Sequence, residues 1–458
     1  MNVTLRLGQC LHDALLAVAL TPVETAGVLL ARLVRVDDSR AVLLGVEFVP
    51  VPDEAYELRT DRSLQVTSDG YVPALKAARN RGLIALWVHT HPGDGAGVRP
   101  SEHDLLVNAQ LGNLFGDRTG SDEYGYLVLG HRGGSLTFTG ALEGVVSGSI
   151  SHLSMIGQRL VFRAAHDAPS AGDLELFDRH IRAFGSQIQA TIGALTVAVV
   201  GAGGTGSAVA EQLARMGVRR FVLIDPDDLS ASNTTRVYGS TPQDVHRAKV
   251  DVLGDHLERI ASGVATVRIQ DTIVHEHAAR VLAGADVVFG CTDDNAGRLR
   301  LSRLPYFHLV PVFDCGVLLD AATDGSIRGI FGRVTTVQPG TACLICRGRV
   351  DPLLAEAETR SEAEQRKLVK EGYAPALPGV EPAVVAFTTL VAAAAVNELL
   401  ERLVGYGQPE RPSEILLRIH DRSVSVNEER PNAGHYCDPA SPKIGTDEDM
   451  YLGLNWAS

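Results

Sequence analysis

Two histidines one residue apart, His89 and His91, are followed by Pro92, a glycine-rich stretch, and Ser101-Glu-His-Asp104. The apolar run Leu83–Val88 in front of them reads as a strand, and Ser101 to Asp104 reads as the opening of a helix. Alternate residues of a strand share a face, so the two imidazoles can point at one metal ion. Asp104 adds a hard third ligand and leaves a fourth tetrahedral position for water, the composition of a catalytic rather than a structural zinc site. A second pair, His275-Glu-His277, has no Ser-x-x-Asp after it and reads as the surface of a helix start.

A second constellation begins with the β-branched run Thr196–Val200, which reads as a buried parallel strand. Gly201, Gly203, Gly204 and Gly206 follow, and from Ser207 to Met216 the apolar spacing is helical. A strand, a glycine turn and a helix N-terminus make an anion site, because backbone N–H groups and the helix dipole face the ligand. The next strand, Phe221–Ile224, ends on Asp225, placed to accept hydrogen bonds from a ribose. This much suits NAD as well as ATP. Asp227, then Asn233 and Arg236 in Ser-Asn-Thr-Thr-Arg, Lys249 at a helix start, and Asp293-Asp294-Asn295 after the strand Asp286–Gly290 decide for ATP. Cations and a further carboxylate at the phosphate end serve cleavage between the α- and β-phosphates, where Mg²⁺ and positive side chains hold the leaving pyrophosphate.

With these residues in place, roughly residues 175 to 437 resemble the ThiF/MoeB/HesA family of ubiquitin-activating-like adenylyltransferases. The resemblance implies that Asp225 holds the ribose, that Asn233, Arg236 and Lys249 hold phosphates with Asp227 assisting, and that Asp293 binds Mg²⁺. It implies attack of a C-terminal carboxylate on the α-phosphate. It also implies a homodimer in which Arg179, in Phe177-Asp-Arg179-His180 on a helix Leu174–Phe184, reaches the partner's ATP. Cys343 and Cys346 match half of the family's zinc knuckle, and the second Cys-x-x-Cys is missing. Either His435 and Cys437 complete the site or the pair is vestigial. The stretch Asp351–Pro382, where many members carry a catalytic cysteine, has none; it reads as a helix and then a crossing loop at Ala374-Pro-Ala-Leu-Pro-Gly. Cys291 and Cys315 read as packing residues. The first 140 residues or so resemble the JAMM (MPN-type) zinc metalloproteases, which cleave after the C-terminal glycine of ubiquitin-like proteins. That resemblance makes Glu24 the general acid/base and Ser101 the oxyanion-stabilising serine.

The elements that must position these residues set the organisation. With 458 residues the chain has room for several domains, and its 45% hydrophobic and 21% charged composition is globular. Gly144–Gly148 and Ala168–Gly172 read as flanks of a linker, giving a domain over 1–150 and a second over 151–458. The expected class is α/β: a JAMM-type α/β metalloprotease domain followed by a Rossmann-like, doubly wound ThiF-type adenylation domain. A net charge of −13 without a basic stripe excludes direct nucleic-acid and anionic-membrane partners. Leu11–Leu20 reads as a helix of the fold rather than a signal peptide, and Val384–Val396 as a buried helix too short to span a bilayer. Six cysteines in this length fit a reducing compartment, so the expectation is a cytoplasmic protein. Together the two domains imply a bifunctional enzyme that trims and activates a small ubiquitin-like or sulfur-carrier protein ending in Gly-Gly. The alternatives are adenylation of another carboxylate, such as a peptide or a tRNA-linked amino acid, and a non-catalytic modifier-binding scaffold.

Overall fold

The computed structural model describes residues 1–94, 98–165, 175–322, 326–360, 383–446 and 450–456. The chain divides into two compact units, one built on Met1–Asp167 and one on Ala168–Ile444 with Glu448–Ser458.

In the first unit the described strands are β1 (Asn2–Gly8), β2 (Ala26–Arg35), β3 (Arg40–Pro50), β4 (Tyr56–Arg59), β5 (Leu64–Val66), β6 (Ile84–Asp94), β7 (Glu123–Arg132), β8 (Ser135–Gly144), β9 (Gly148–Ile156) and β10 (Leu160–Ala164). The main sheet runs β1-β3-β2-β6-β7-β8-β9-β10, and β1 also pairs with β9, so the sheet curls back on itself. Gly144–Gly148 is therefore not a linker flank: it is the short connection between β8 and the antiparallel β9. Because β9 and β10 belong to this sheet, the first unit continues past residue 150.

Helix α1 (Gln9–Ala19) takes the place read for Leu11–Leu20, α2 (Val72–Arg81) ends on Gly82 in the left-handed region, and α3 (Glu102–Thr119) follows the histidines. A reciprocal cap starts α3: Ser101 Oγ accepts from the Asp104 amide at 3.1 Å, and Asp104 Oδ2 accepts from the Ser101 amide at 2.6 Å. One core, built around Leu29, Leu43, Leu86, Leu127 and Leu153, packs one face of the sheet. A second, around Val28, Trp87, Phe115 and Tyr124, seats α2 and α3 on the other.

The second unit carries α4 (Asp178–Phe184), α5 (Ser186–Ala194), β11 (Thr196–Val200), α6 (Gly204–Arg215), β12 (Arg220–Ile224), α7 (Lys249–Ile260), β13 (Ala265–Ile269), α8 (Glu276–Arg280), β14 (Val287–Gly290), α9 (Asn295–Phe307), β15 (Val312–Ala321), β16 (Ile327–Val337), α10 (Pro352–Glu358), α11 (Val385–Val404), β17 (Glu414–Arg418) and β18 (Ser423–Asn427). Its sheet runs β13-β12-β11-β14-β15-β16-β17-β18, parallel from β13 to β15 and antiparallel beyond. All five residues of β11 are buried, as the unbroken apolar run requires of a strand covered on both faces. From β11 the chain builds outward first through β12 and then through β14. The order reverses there, and in such sheets ligands bind outside the carboxyl ends of the two diverging strands.

One helix differs from expectation. The helix expected over Leu174–Phe184 breaks into a turn at Phe177, whose ring is buried against Gly217 instead of continuing the helix. Leu174, Ala168–Gly172 and the crossing loop at Ala374–Gly379 lie outside the described residues. No described helix is long and apolar enough to cross a membrane.

Candidate functional site

The glycine turn is dictated by contact distances. Gly201 has φ +93, and a Cβ on it would lie 2.6 Å from the Cys291 carbonyl oxygen. A Cβ on Gly206 would lie 1.8 Å from the Gly201 carbonyl oxygen, so neither position admits a side chain. Gly203 is different: a Cβ there would meet nothing within 4 Å, which leaves open space over the N-terminus of α6. Gly204 begins that helix, with the Arg236 stem 3.3 Å from where its Cβ would be.

Asp225 is buried at the end of β12, and its carboxylate oxygens accept from the Ala202 amide at 2.7 Å and the Asp227 amide at 2.9 Å. Burial raises its pKa; the Lys249 charge and these two amides oppose the rise. Each oxygen keeps a second lone pair for a ribose hydroxyl. Lys249 Nζ lies 2.6 Å from Asp227 Oδ2 and 3.6 Å from Asp225 Oδ1, which places its charge at the same edge. Asn233 is buried and its side-chain oxygen accepts from the Ser230 amide at 3.0 Å. Asp293 follows β14 with its side chain exposed, two residues after the Cys291 carbonyl that covers Gly201. Its neighbours have other tasks. Asp294 caps α9 through the Gly297 amide and takes the Thr292 hydroxyl, while Asn295 bonds Glu358 and the Asp351 amide. Capping of α9 thus falls to Asp294 and leaves Asp293 uncommitted.

Arg179 does not join this group. It is exposed on α4 and shares a concave surface with Arg215, Gly217 and Ser262, at the far end of α6. A 12-residue helix is about 18 Å long, so Arg179 and the glycine turn of its own chain lie at opposite ends of it.

Cys343, Cys346, His435 and Cys437 come together across 90 residues of chain, with ligand atoms all within 4.8 Å of one another. His435 Nδ1 is 3.5, 3.4 and 3.3 Å from the sulfurs of Cys343, Cys346 and Cys437, and the last two sulfurs are 3.6 Å apart. Cys315 is buried among core residues, in keeping with a packing role.

In the first unit His89, His91 and Asp104 also place ligand atoms within 4.8 Å of one another. His89 Nε2 lies 3.3 Å from Asp104 Oδ1, and His91 Nε2 lies 3.3 Å from Asp104 Oδ2. His89 is buried, yet neither ring nitrogen forms a well-directed hydrogen bond. Burial of Asp104 would raise its pKa, but the adjacent His89 imidazole and the bonds with Ser101 hold it well below the usual carboxylate range. Burial pushes the His91 pKa down, and the His89 charge adds to this. Glu24 is buried just before β2. Its neighbour Thr25 exchanges bonds with Thr90, between the two histidines: Thr25 N donates to Thr90 Oγ1 and Thr90 N to the Thr25 carbonyl, both at 2.9 Å. Burial raises the Glu24 pKa against the nearby His89 charge.

His275 bonds Asp271 at 2.7 Å, His277 Nε2 lies 2.8 Å from its other oxygen, and the three remain a surface cluster. Residue spacing did not flag Arg59, which donates to the Glu24 carbonyl at 3.1 Å and the Thr25 hydroxyl at 2.7 Å. Nor did it flag Thr388 of α11, whose hydroxyl lies 3.1 Å from a Cβ built on Gly204. No local pattern marks either residue, because their partners are distant in sequence.

The parallel sheet, its glycine turn and the charged residues beside it define a doubly wound α/β unit with a polar crevice at its switch point. Residues 177–437 match the ThiF family, and the chain belongs to it. It is 28% identical over 228 residues to the adenylyltransferase and sulfurtransferase MOCS3-1 of Zea mays, covering 49% of this chain and 45% of that protein. It is 30% identical over 156 residues to the molybdopterin-synthase adenylyltransferase of Escherichia coli K12, covering 34% of this chain and 59% of that one. With the sulfur carrier protein ThiS adenylyltransferase of the same organism it shares 34% identity over 106 residues, 23% of this chain and 42% of the relative. The chain thus spans about half the length of these relatives.

Proposed function

We propose that the second unit adenylates the C-terminal carboxylate of a small ubiquitin-like or sulfur-carrier protein ending in Gly-Gly, and that the first unit is a zinc metallopeptidase acting at the same terminus. The observation that carries the adenylation reading is the convergence of Asp225, Lys249, Arg236 and Asp293 on the carboxyl edge of β11, β12 and β14. The relatives named for adenylyl transfer to such carriers support it. Asp225 would hold the ribose of ATP, while the Gly203–Gly206 amides, Asn233, Arg236 and Lys249 would hold the phosphates. The carrier carboxylate oxygen attacks the α-phosphorus, the bond to the β-phosphate oxygen breaks, and acyl-adenylate and pyrophosphate form. Lys249 and Arg236 neutralise the charge that grows on the departing pyrophosphate. Asp293, an uncommitted exposed carboxylate at the crevice, fits Mg²⁺, which when bound supplies further positive charge to the phosphates. The position of Arg179 at the far end of α6 supports a dimer in which it serves the partner's site. Carrier-dependent ATP–pyrophosphate exchange tests the reading: Lys249→Ala and Asp293→Ala abolish it. A protein that binds NAD and ignores ATP removes it.

His89, His91 and Asp104 fit zinc: the donor set is two imidazoles and a carboxylate, and a buried imidazole without a good partner is costly unless something takes its lone pair. Bound there, zinc supplies hydroxide near neutral pH by lowering the pKa of its water. Glu24, with its raised pKa, would hold a proton and deliver it to the leaving amine. Ser101 Oγ accepts the Asp104 amide and so keeps its own proton to donate to an oxyanion. Tethering trimming to activation raises the local concentration of the trimmed carrier. Glu24→Ala should keep zinc and lose cleavage of a carrier extended beyond Gly-Gly; cleavage that persists in both Glu24→Ala and His91→Ala removes the peptidase reading. The Cys343, Cys346, His435 and Cys437 tetrad fits a structural zinc, since bonds of about 2.3 Å to sulfur imply tetrahedral edges of about 3.8 Å. Its nitrogen–sulfur and sulfur–sulfur separations of 3.3 to 3.6 Å approach that spacing.

A further inference from the structure

We propose that Glu358 is a positioning residue for Asp293, a clamp through which the segment Asp351–Glu358 keeps the acidic turn open to a cation. The inference rests on the adenylation reading, in which Asp293 holds Mg²⁺.

The turn from Cys291 to Gly297 has three carboxylates within reach and only one of them free for a ligand. Asp294 takes the Gly297 amide and the Thr292 hydroxyl. Glu358 comes from α10, more than sixty residues further along the chain. Its Oε2 accepts from the Ala296 amide at 2.7 Å, and its Oε1 from the Asn295 side-chain nitrogen at 3.1 Å. The other end of the Asn295 amide accepts from the Asp351 backbone N–H at 3.0 Å. Asn295 is thereby held at both ends by one short segment. That segment is itself anchored: Asp351 caps α10 through the Leu353 and Leu354 amides, and Ala355 is buried in the same core as Leu301 and Leu304 of α9.

A helix start carries unpaired amides and a partial positive charge that attract the nearest carboxylate. With Glu358 present, both the Ala296 and Gly297 amides are satisfied by protein carboxylates. Without it, the Ala296 amide is open, and Asp293, just before the Asp294 cap, is the nearest carboxylate in the turn with no bond of its own to turn toward it. That bond would turn Asp293 away from the crevice. Glu358 therefore supports metal binding without being a ligand.

The test uses the full chain, ATP as the probe, and equilibrium dialysis with saturating Mg²⁺ or with a chelator. The readout is the ratio of the two ATP affinities, a linkage between cation and nucleotide. In Glu358→Ala the ratio should fall about ten-fold, the worth of one hydrogen bond to a charged group, while ATP affinity in chelator is unchanged. Glu358→Gln keeps an acceptor for the Ala296 amide and should retain most of the ratio; it also serves where the alanine variant folds poorly. A ratio unchanged in Glu358→Ala but lost in Asp293→Ala overturns the inference. Equal loss of affinity with and without Mg²⁺ also overturns it, by showing a structural role alone. A ratio intact in Asp293→Ala refutes the magnesium role of Asp293 itself, and the clamp with it.

Discussion

Glu414 offers a quantitative test of how the antiparallel half of the second sheet is held. Its carboxylate is fully buried, yet it receives two bonds from Arg349 at 3.0 and 2.8 Å, one from Asn427 at 2.8 Å and one from Thr335 at 2.8 Å. Burial alone would raise its pKa; these donors more than offset burial and bring it from 4.5 down to about 2. A folded value below the unfolded one means the group stabilises the fold fully above pH ~4.5 and loses that contribution as the pH falls toward 2. The size of the drop corresponds to about 3 kcal/mol, of which about 2 kcal/mol is gone by pH 3. Glu414→Gln removes the charge and turns an NH₂ group toward Arg349, so it should cost about 3 kcal/mol at pH 7. The gap between variant and parent should shrink to about 1 kcal/mol at pH 3, because the parent loses the same interaction. The chain has two tryptophans, and Trp456 packs in the second unit with its indole N–H on the Tyr451 carbonyl at 2.9 Å. Urea unfolding followed by fluorescence in a Trp87→Phe background therefore reports this unit. A stability gap that is independent of pH would refute the reasoning, since it would mean the cost comes from shape and not from charge.

The glycines separate into two kinds. Gly206→Ala should disrupt the turn and lower the unfolding free energy by about 1–3 kcal/mol. Gly203→Ala should leave stability within about 0.5 kcal/mol but weaken ATP binding by placing a methyl group in the open space over α6; urea titration and calorimetry on the two variants check this. Arg179→Ala and Asp293→Ala, each inactive alone in pyrophosphate exchange, should recover roughly a quarter of the sites when subunits are mixed and exchanged; a mixture that exchanges and stays dead places Arg179 outside the partner's site. Zinc measured by elemental analysis should drop by one equivalent in Cys346→Ser and by a different one in His91→Ala, and the serine variant should also unfold at lower urea.

Legibility in the sequence followed the range of the interactions. The strand Thr196–Val200 and the glycine turn were readable because an apolar run, glycine spacing and a helical period lie side by side. His89, His91 and Asp104 were readable because strand alternation and a helix cap are local rules. The tetrad was only half readable: Cys343 and Cys346 form a motif, while His435 and Cys437 meet them through tertiary packing alone. Asp293 was singled out through the family resemblance, but the adjacent Asp294 and Asn295 could not be ranked, since what separates them is the Gly297 amide for one and a distant bond to Glu358 for the other. The β1–β9 pairing joins residues about 150 apart in the chain and follows from no local pattern, so the extent of the first unit was misjudged near Gly144–Gly148. The break at Phe177 was hidden for the same reason, because the Gly217 surface that receives the ring lies elsewhere in the chain.

Asp104 faces the two imidazoles with one edge of its carboxylate while receiving the Ser101 amide, and this double duty limits how the chain can change. Histidine coordinates zinc as well as aspartate does, but an imidazole cannot reproduce the reciprocal cap with Ser101. Glutamate keeps the charge and adds a methylene that would carry the oxygens away from one duty or the other. A substitution at this proposed metal ligand is thus also a change to the first turn of an 18-residue helix. Under the proposed zinc reading, one step at Asp104 loses the metal, whereas a different third ligand would also have to replace the cap with Ser101. Sequence drift at this position has one easy exit and no easy detour.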